Sequence, residues 1–489
     1  MTGPVVVTAA GAVRGVPARR GATVFRGIPY AAAPVGKLRF EGPTPVEPWT
    51  GIRDASHNAP TPLRAVPNAA GRVPLHTIAG DDVLNLTVFS ANLPSEETSA
   101  LQPVLVWIHG GAYHEGSAAD PLWDLSDFAA DGVVGVAINY RVGFDGYGYV
   151  PGATQNRGVL DWIAALEWVR DNIAAFGGDL DRVTIAGHSS GASAVLRLLT
   201  IEAAHPLFAR AIAQSPAELD ISLANALAIT DDLAVHLGVS ADRAGFETLS
   251  VDVVQQAQYR PLDAATGSAG GSASVGSSAS VGWVLAAGVG TTLRYMPIID
   301  GDLITASMIE ASRAGVGATI PLLIGAVAHE LDAPAVFVEE SDRLGGTAVL
   351  SEALGAEAAS RYIALLPDGL TGAQQVAQFI SDRIFRRPAP RFAESRPVGS
   401  TWVYEFAYPD ATRTNDRVFH GDELKYLFGA PEVRGSAISE RLRADWIGFI
   451  SASNPGWEPC SVAAHGRRYG VVDVAAAVFA RERELFLKG

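Results

Sequence analysis

A chain of 489 residues, 48% hydrophobic and 18% charged, can bury a large core, and its 51 glycines and 29 prolines predict many loops and sharp turns. A formal charge of −15 repels nucleic-acid phosphates and anionic membranes, and no Lys/Arg cluster reverses it locally, so neither is an expected partner. The single cysteine, Cys460, excludes an intrachain disulfide; no apolar run is long enough to span a bilayer, and the opening MTGPVVVTAAGAVRG is not patterned as a secretory signal, so the expected location is cytoplasmic.

In chain order, short apolar runs bounded by Gly or polar turns predict buried strands at Val104 to Ile108, Val133 to Ile138, Val183 to Ala186, Ala209 to Ala213 and Pro321 to Ile324. Between the second and third, Leu160, Ile163, Leu166, Val169 and Ile173 recur at helical spacing, which predicts a helix from Gly158 to Phe176. Strand, helix, strand in succession implies an α/β fold with a mostly parallel central sheet flanked by helices. Residues 264–282 are Gly/Ser/Ala-rich, with too little side-chain volume to pack, and read as a flexible surface loop. Strand-like runs resume after that loop, so it is expected to interrupt one domain spanning 1–489 rather than to separate two.

The strand Arg182 to Ala186 runs into Gly187-His188-Ser189-Ser190-Gly191, followed by a helix-like Ala192 to Leu199. This is G-x-S-x-G in a strand-turn-helix setting, where the glycines let the backbones approach and the serine hydroxyl is thrust outward. A serine hydroxyl is a weak nucleophile; it needs a base and a place for the negative charge of the tetrahedral intermediate. The strand Val104 to Ile108 ends in His109-Gly110-Gly111-Ala112-Tyr113, a small-residue loop able to aim N–H groups at that charge, joined by the N–H of Ser190. The candidate oxyanion donors are therefore Gly111, Ala112 and Ser190.

With these segments the chain resembles the type-B carboxylesterases, the cholinesterase-like branch of the α/β-hydrolases, in a bacterial form. The resemblance runs over nearly the whole length, through Phe25-Arg26-Gly27-Ile28-Pro29-Tyr30, Asp81-Asp82, Asn139-Tyr140-Arg141, Phe176-Gly177-Gly178-Asp179, Gln214-Ser215, Pro297-Ile298-Ile299-Asp300-Gly301, and His420-Gly421 to Leu427-Phe428-Gly429. It implies an α/β-hydrolase fold with loop and helical insertions over the site, hydrolysis of small-molecule carboxylic esters, and no cofactor or metal. The chain would be a monomer or small homo-oligomer. It also implies structural ion pairs of Arg39 with Asp81 and of Arg141 with Asp161, and a Ser215 that supports the triad acid.

Of ten histidines, His420 stands where the family carries its catalytic base and fits the chain order serine, acid, histidine. The acid by resemblance is Glu330, which follows the strand at Pro321 to Ile324; Asp332 is the alternative, because His329 and Leu331 replace the residues that usually flank the family's glutamate. Two further departures concern specificity: His188 replaces the glutamate that commonly precedes the nucleophile, which argues against choline esters, and Ser190 replaces an alanine while keeping its N–H. A carbamate, amide or aryl-ester hydrolase using the same triad is a rival reading. A non-catalytic binding protein of the neuroligin type is another, disfavoured because Ser189 and His420 are both present.

Overall fold

The computed structural model describes residues 3–62, 77–95, 100–258, 294–331, 345–410, 413, 416–460, 465–472 and 474–486. The Gly/Ser-rich stretch 264–282 and Asp332 lie outside them. The central sheet has eleven strands: β1 (Val16–Pro17), β2 (Thr23–Pro29), β3 (Asn85–Ser90), β4 (Gln102–Ile108), β5 (Val134–Ile138), β6 (Gly178–His188), β7 (Arg210–Gln214), β8 (Leu322–Val327), β9 (Thr401–Phe406), β10 (His465–Tyr469) and β11 (Val474–Ala477). They lie in the order β11-β10-β9-β8-β7-β6-β4-β5-β3-β2-β1. Pairing is parallel from β5 across to β10 and antiparallel at both margins. This is the α/β-hydrolase fold.

The strand pattern follows from two-sided burial. Along β4, Val104, Val106 and Ile108 enter one apolar core while Leu105 and Trp107 enter the other, so both faces of the strand are covered and it reads as a continuous hydrophobic run. The same alternation places Leu322 and Ile324 of β8 on one face and Leu323 and Val327 on the other. The predicted helix spans Arg157–Asn172 (α1) and tightens into a 3₁₀ turn, Ile173–Phe176. Among the described residues no helix is long and apolar enough to cross a membrane.

One expected ion pair is present and one is replaced. Arg141 grips the fully buried Asp161 of α1 through two parallel bonds, at 2.7 and 2.8 Å, and its remaining nitrogen donates to the Glu41 carbonyl at 2.8 Å. Removing one partner of so buried a pair costs about 3–5 kcal/mol. Arg39 pairs with Asp145 at 3.0 Å rather than with Asp81. Arg141 also holds the Arg39 carbonyl, at 3.2 Å, and the short helix Gly143–Tyr147 begins two residues further on, which brings the Asp145 carboxylate to the Arg39 guanidinium. Neighbouring Asp82 is taken by Arg53 at 2.9 Å.

Candidate active site

The site collects at the carboxyl ends of β4, β6, β7 and β8. At the end of β6, Ser189 adopts φ 58° and ψ −126°, and helix α2 (Ser190–Leu199) starts immediately after it. The flanking glycines are sterically required: a Cβ on Gly187 would come 2.5 Å from the Gly191 carbonyl carbon, and one on Gly191 would come 2.1 Å from the Ile108 oxygen. Ser189 is fixed by its own N–H, which donates to the Gln214 carbonyl at 3.0 Å.

The loop after β4 lies against this turn. A Cβ on Gly110 would sit 2.7 Å from the His188 oxygen and 3.2 Å from the Ser189 Cβ. Gly111, Ala112 and Tyr113 all have positive φ, at 122°, 56° and 62°. The Gly111 carbonyl accepts N–H groups of His114 and Glu115 at 2.9 and 3.0 Å, and the Tyr113 carbonyl accepts that of Gly143 at 2.7 Å. The Tyr113 N–H donates to the Ser190 hydroxyl at 3.2 Å. Among the described residues the N–H groups of Gly111, Ala112 and Ser190 have no acceptor, so three donors beside Ser189 remain open.

Glu330 follows β8, also at positive φ, 57°, and is 1% exposed. One carboxylate oxygen accepts the Ser215 hydroxyl at 2.6 Å and the Val327 N–H at 3.0 Å; the other meets Nδ1 of His420 at 2.5 Å. The two loops are joined through their backbones as well, since the His420 N–H donates to the Glu330 carbonyl at 2.7 Å. His420 Nε2, the ring nitrogen farther from the carboxylate, is buried without a hydrogen-bond partner. The His420 ring lies 4.3 Å from that of His188, the residue preceding Ser189. Serine, glutamate and histidine are thus gathered in one place with Ser215 and the three open amides. Five of the nine described non-glycine residues with positive φ, namely Ala112, Tyr113, Ser189, Ser215 and Glu330, belong to this site, which marks it as the place where the fold stores backbone strain.

Burial controls the other titratable groups here. His188 is held well below the ordinary histidine pKa, first by burial and then by the proximity of His420, and His109 is pushed down to about 4 by burial. Glu423, fully buried in the helix after His420, is raised well above the usual carboxylate range by burial, with the Glu330 charge adding to the effect. Cys460 is buried, and that burial raises its thiol pKa, which favours the unreactive form. Among the described residues no three His, Cys, Asp or Glu side chains are grouped to hold a metal. The sequence reading did not single out Glu423 or Phe385, whose ring lies 4.4 Å from that of His420. Glu423 could have been noticed as a carboxylate three residues after the candidate base; no local signal marks Phe385.

Fold and site together define an ester-hydrolysing α/β-hydrolase. The chain belongs to the carboxylesterase family, whose sequence profile matches residues 2–463. It is 30% identical to the para-nitrobenzyl esterase of Bacillus subtilis over 94% of this chain and 92% of that one. It is 31% identical to the phenmedipham hydrolase of Pseudarthrobacter oxydans, over 93% and 91% respectively. The carboxylesterase EST55 of Geobacillus stearothermophilus superposes with a TM-score of 0.80 at 28% identity, covering 98% of this chain and 99% of its own.

Proposed function

We propose that this carboxylic ester hydrolase works through an acyl-enzyme on Ser189, with His420 as base and Glu330 as the acid that orients it. The observation that carries this reading is the 2.5 Å contact of Glu330 with His420 Nδ1, which leaves Nε2 unpartnered while the ring packs against His188, the residue before the strained Ser189. Ser189 Oγ attacks the ester carbonyl and passes its proton to His420 Nε2, while ionised Glu330 stabilises the imidazolium. The carbonyl oxygen becomes an oxyanion received by the N–H groups of Gly111, Ala112 and Ser190; one such donor typically supplies about 3–4 kcal/mol of transition-state stabilisation. Collapse expels the alcohol, which takes the proton from His420. Water then attacks the Ser189 ester, gives its proton to His420, and the acid departs as Ser189 recovers its own.

A relative that acts on a para-nitrobenzyl ester favours an aryl-bearing alcohol, so aryl and benzyl esters are the first substrates to try. Carbamates fit the same acyl chemistry and stand second. The reading also takes 1–489 as one domain in the cytoplasm, supported by the continuous sheet and the single cysteine. The test is labelling with a fluorophosphonate followed by peptide mapping. Modification of Ser189 alone, with loss of p-nitrophenyl ester hydrolysis in step, is expected; full activity in Ser189→Ala refutes the nucleophile assignment.

A further inference from the structure

A ring held at Nδ1 by one carboxylate, and at Cβ by its own backbone, keeps one freedom: it can tilt. Tilting moves Nε2 most, because that atom is farthest from the hold. What limits the tilt is the packing on the two ring faces. In this structure two aromatic rings pack against that of His420: His188 lies 4.3 Å away at 44° and Phe385 lies 4.4 Å away at 41°. His188 is fixed by its place at the end of β6.

Phe385 comes from elsewhere in the fold. It belongs to a π-helical turn, Asp382–Arg386, that follows the helix Gly372–Ser381. A π-turn inserts one residue into the helical register and so re-aims the side chains it carries. Such a turn needs support, and here the support is extensive. Arg386, buried, reaches Glu482 at 2.6 Å, Glu405 at 2.7 Å and the Val327 carbonyl at 2.7 Å. Asp382 accepts two bonds from Arg481, at 2.6 and 2.8 Å, and one from the Tyr362 hydroxyl at 2.8 Å. The same segment also holds the loop that carries Glu330: Gln378 donates to the Ala328 carbonyl at 3.2 Å, and the Leu331 N–H donates to the Ser381 hydroxyl at 3.1 Å. Together with the Arg386 bond to Val327, this makes three attachments within 327–331. The segment therefore carries a ring against His420 and anchors the partner of its Nδ1.

We propose that Phe385 is a positioning residue for the ester hydrolysis: set by the π-turn, it packs against the His420 ring, as His188 does, and keeps Nε2 aimed at Ser189. This rests on the reading of His420 as the base. An error of about 1 Å in such an alignment can cost about 100-fold in rate, so removing the ring should lower kcat by about 10- to 100-fold. KM should move by less than about threefold, because the ester is still bound as before.

The experiment compares Phe385→Leu, Phe385→Met and Phe385→Tyr with wild type and with Ser189→Ala, measuring kcat and KM on p-nitrophenyl butyrate, the rate of fluorophosphonate labelling, and Tm. The proposal expects kcat and labelling rate to fall together in the Leu and Met variants, and the Tyr variant, which restores a ring face, to keep most of both. It is overturned if either aliphatic variant with wild-type Tm keeps more than half of kcat, if the loss appears in KM alone, or if the Tyr variant falls as far as Leu. Should Leu fail to fold, Met, closer in length and flexibility, decides by the same criteria; if neither folds while Tyr behaves as wild type, the ring is a fold element and the proposal is overturned. Activity persisting in Ser189→Ala would instead sink the acyl-enzyme reading, so the two failures are told apart.

Discussion

Ser190 carries two roles that one substitution separates. Its N–H is one of the three open donors, and its hydroxyl accepts the Tyr113 N–H, tying down a loop that holds two consecutive non-glycine residues at positive φ. Ser190→Ala keeps the first and removes the second. One neutral hydrogen bond is worth about 1 kcal/mol, so kcat should fall by about three- to tenfold. Affinity for a trifluoromethyl ketone, which mimics the tetrahedral intermediate, should fall by the same factor while KM changes little, since the loop matters most when the oxyanion has formed. An unchanged inhibitor constant would show that the loop is set without this bond. Glu330→Gln and His420→Ala should each lower kcat by about 10³- to 10⁴-fold, whereas Asp332→Asn should stay within about twofold. Steady-state kinetics on p-nitrophenyl acetate separate these cases; a crippled Asp332→Asn means the acid is misassigned. Ser189 and the open amides were legible in the sequence because a glycine-bounded turn is local chemistry. Glu330 was legible as a candidate acid only by resemblance, with His329 and Leu331 around it, because its partners are Ser215, 115 residues away, and His420, 90 residues away. The packing of Phe385 on His420 was not legible, since Phe385 reaches it through a π-turn whose supports come from four separate segments.

At the scale of elements, the loops after β8 and before the helix Asp422–Leu427 behave as one unit. Besides the Glu330–His420 contacts, the His329 N–H donates to the Val418 carbonyl at 3.2 Å and His329 Nδ1 accepts the Val418 N–H at 3.0 Å. That second bond requires an unprotonated Nδ1. Burial, and then Arg417 and Arg386, push His329 down to about 4 from 6.5, with Glu405 opposing. Because the folded pKa is the lower one, the unfolded chain binds the extra proton, and this stabilisation is full above about pH 6.5 and lost as pH falls toward about 4. At pH 5 the loss is about 2 kcal/mol, from 1.36 kcal/mol per unit. His329→Gln keeps an acceptor that does not titrate. The stability gap between wild type and this variant, from urea unfolding, should therefore shift in the variant's favour by about 1–2 kcal/mol between pH 7.5 and pH 5. A gap independent of pH would mean that His329 titrates alike in both states. The fold's elements were legible where the strand is a continuous apolar run: β4 extends the predicted Val104 to Ile108 by two residues, and β8 runs three beyond Ile324. Six strands went unread: β3 and β9, though wholly buried, because Asn85, Thr87 and Ser90 in one and Thr401 and Glu405 in the other interrupt the apolar run, β2 because Arg26 and Gly27 do the same, and β1, β10 and β11 because they are short and carry little hydrophobic pattern. The Arg39 partner was misread because an ion pair depends on which carboxylate the fold brings near, and nothing local to Arg39 favours Asp145 over Asp81.

For the whole molecule the question is what a charge of −15 does to the choice of substrate. A field of that sign draws cationic esters toward the protein at long range, but long-range attraction is screened: the Debye length is about 30 Å at 0.01 M salt and about 3 Å at 1 M. A preference that survives high salt requires a carboxylate close to the bound cation. The residue before Ser189, where the family commonly has a glutamate, is His188, buried and held neutral, so it adds no negative charge there. Glu330 is 1% exposed and engaged with His420, and Glu423 is buried and favours its protonated form. The expectation is a cationic advantage that is present at low salt and absent at high salt. Butyrylthiocholine and its neutral isostere, 3,3-dimethylbutyl thiobutyrate, differ only in charge at that end, so the ratio of their kcat/KM values isolates the effect. The ratio should exceed one at about 0.01 M salt and fall to one or below at about 0.5 M, as the global field is screened. A cationic preference that persists at the higher salt would place an ionised carboxylate beside the bound alcohol group. His188→Glu supplies the positive control: it should restore a salt-resistant preference in the same assay, because it puts a charge where the family commonly has one.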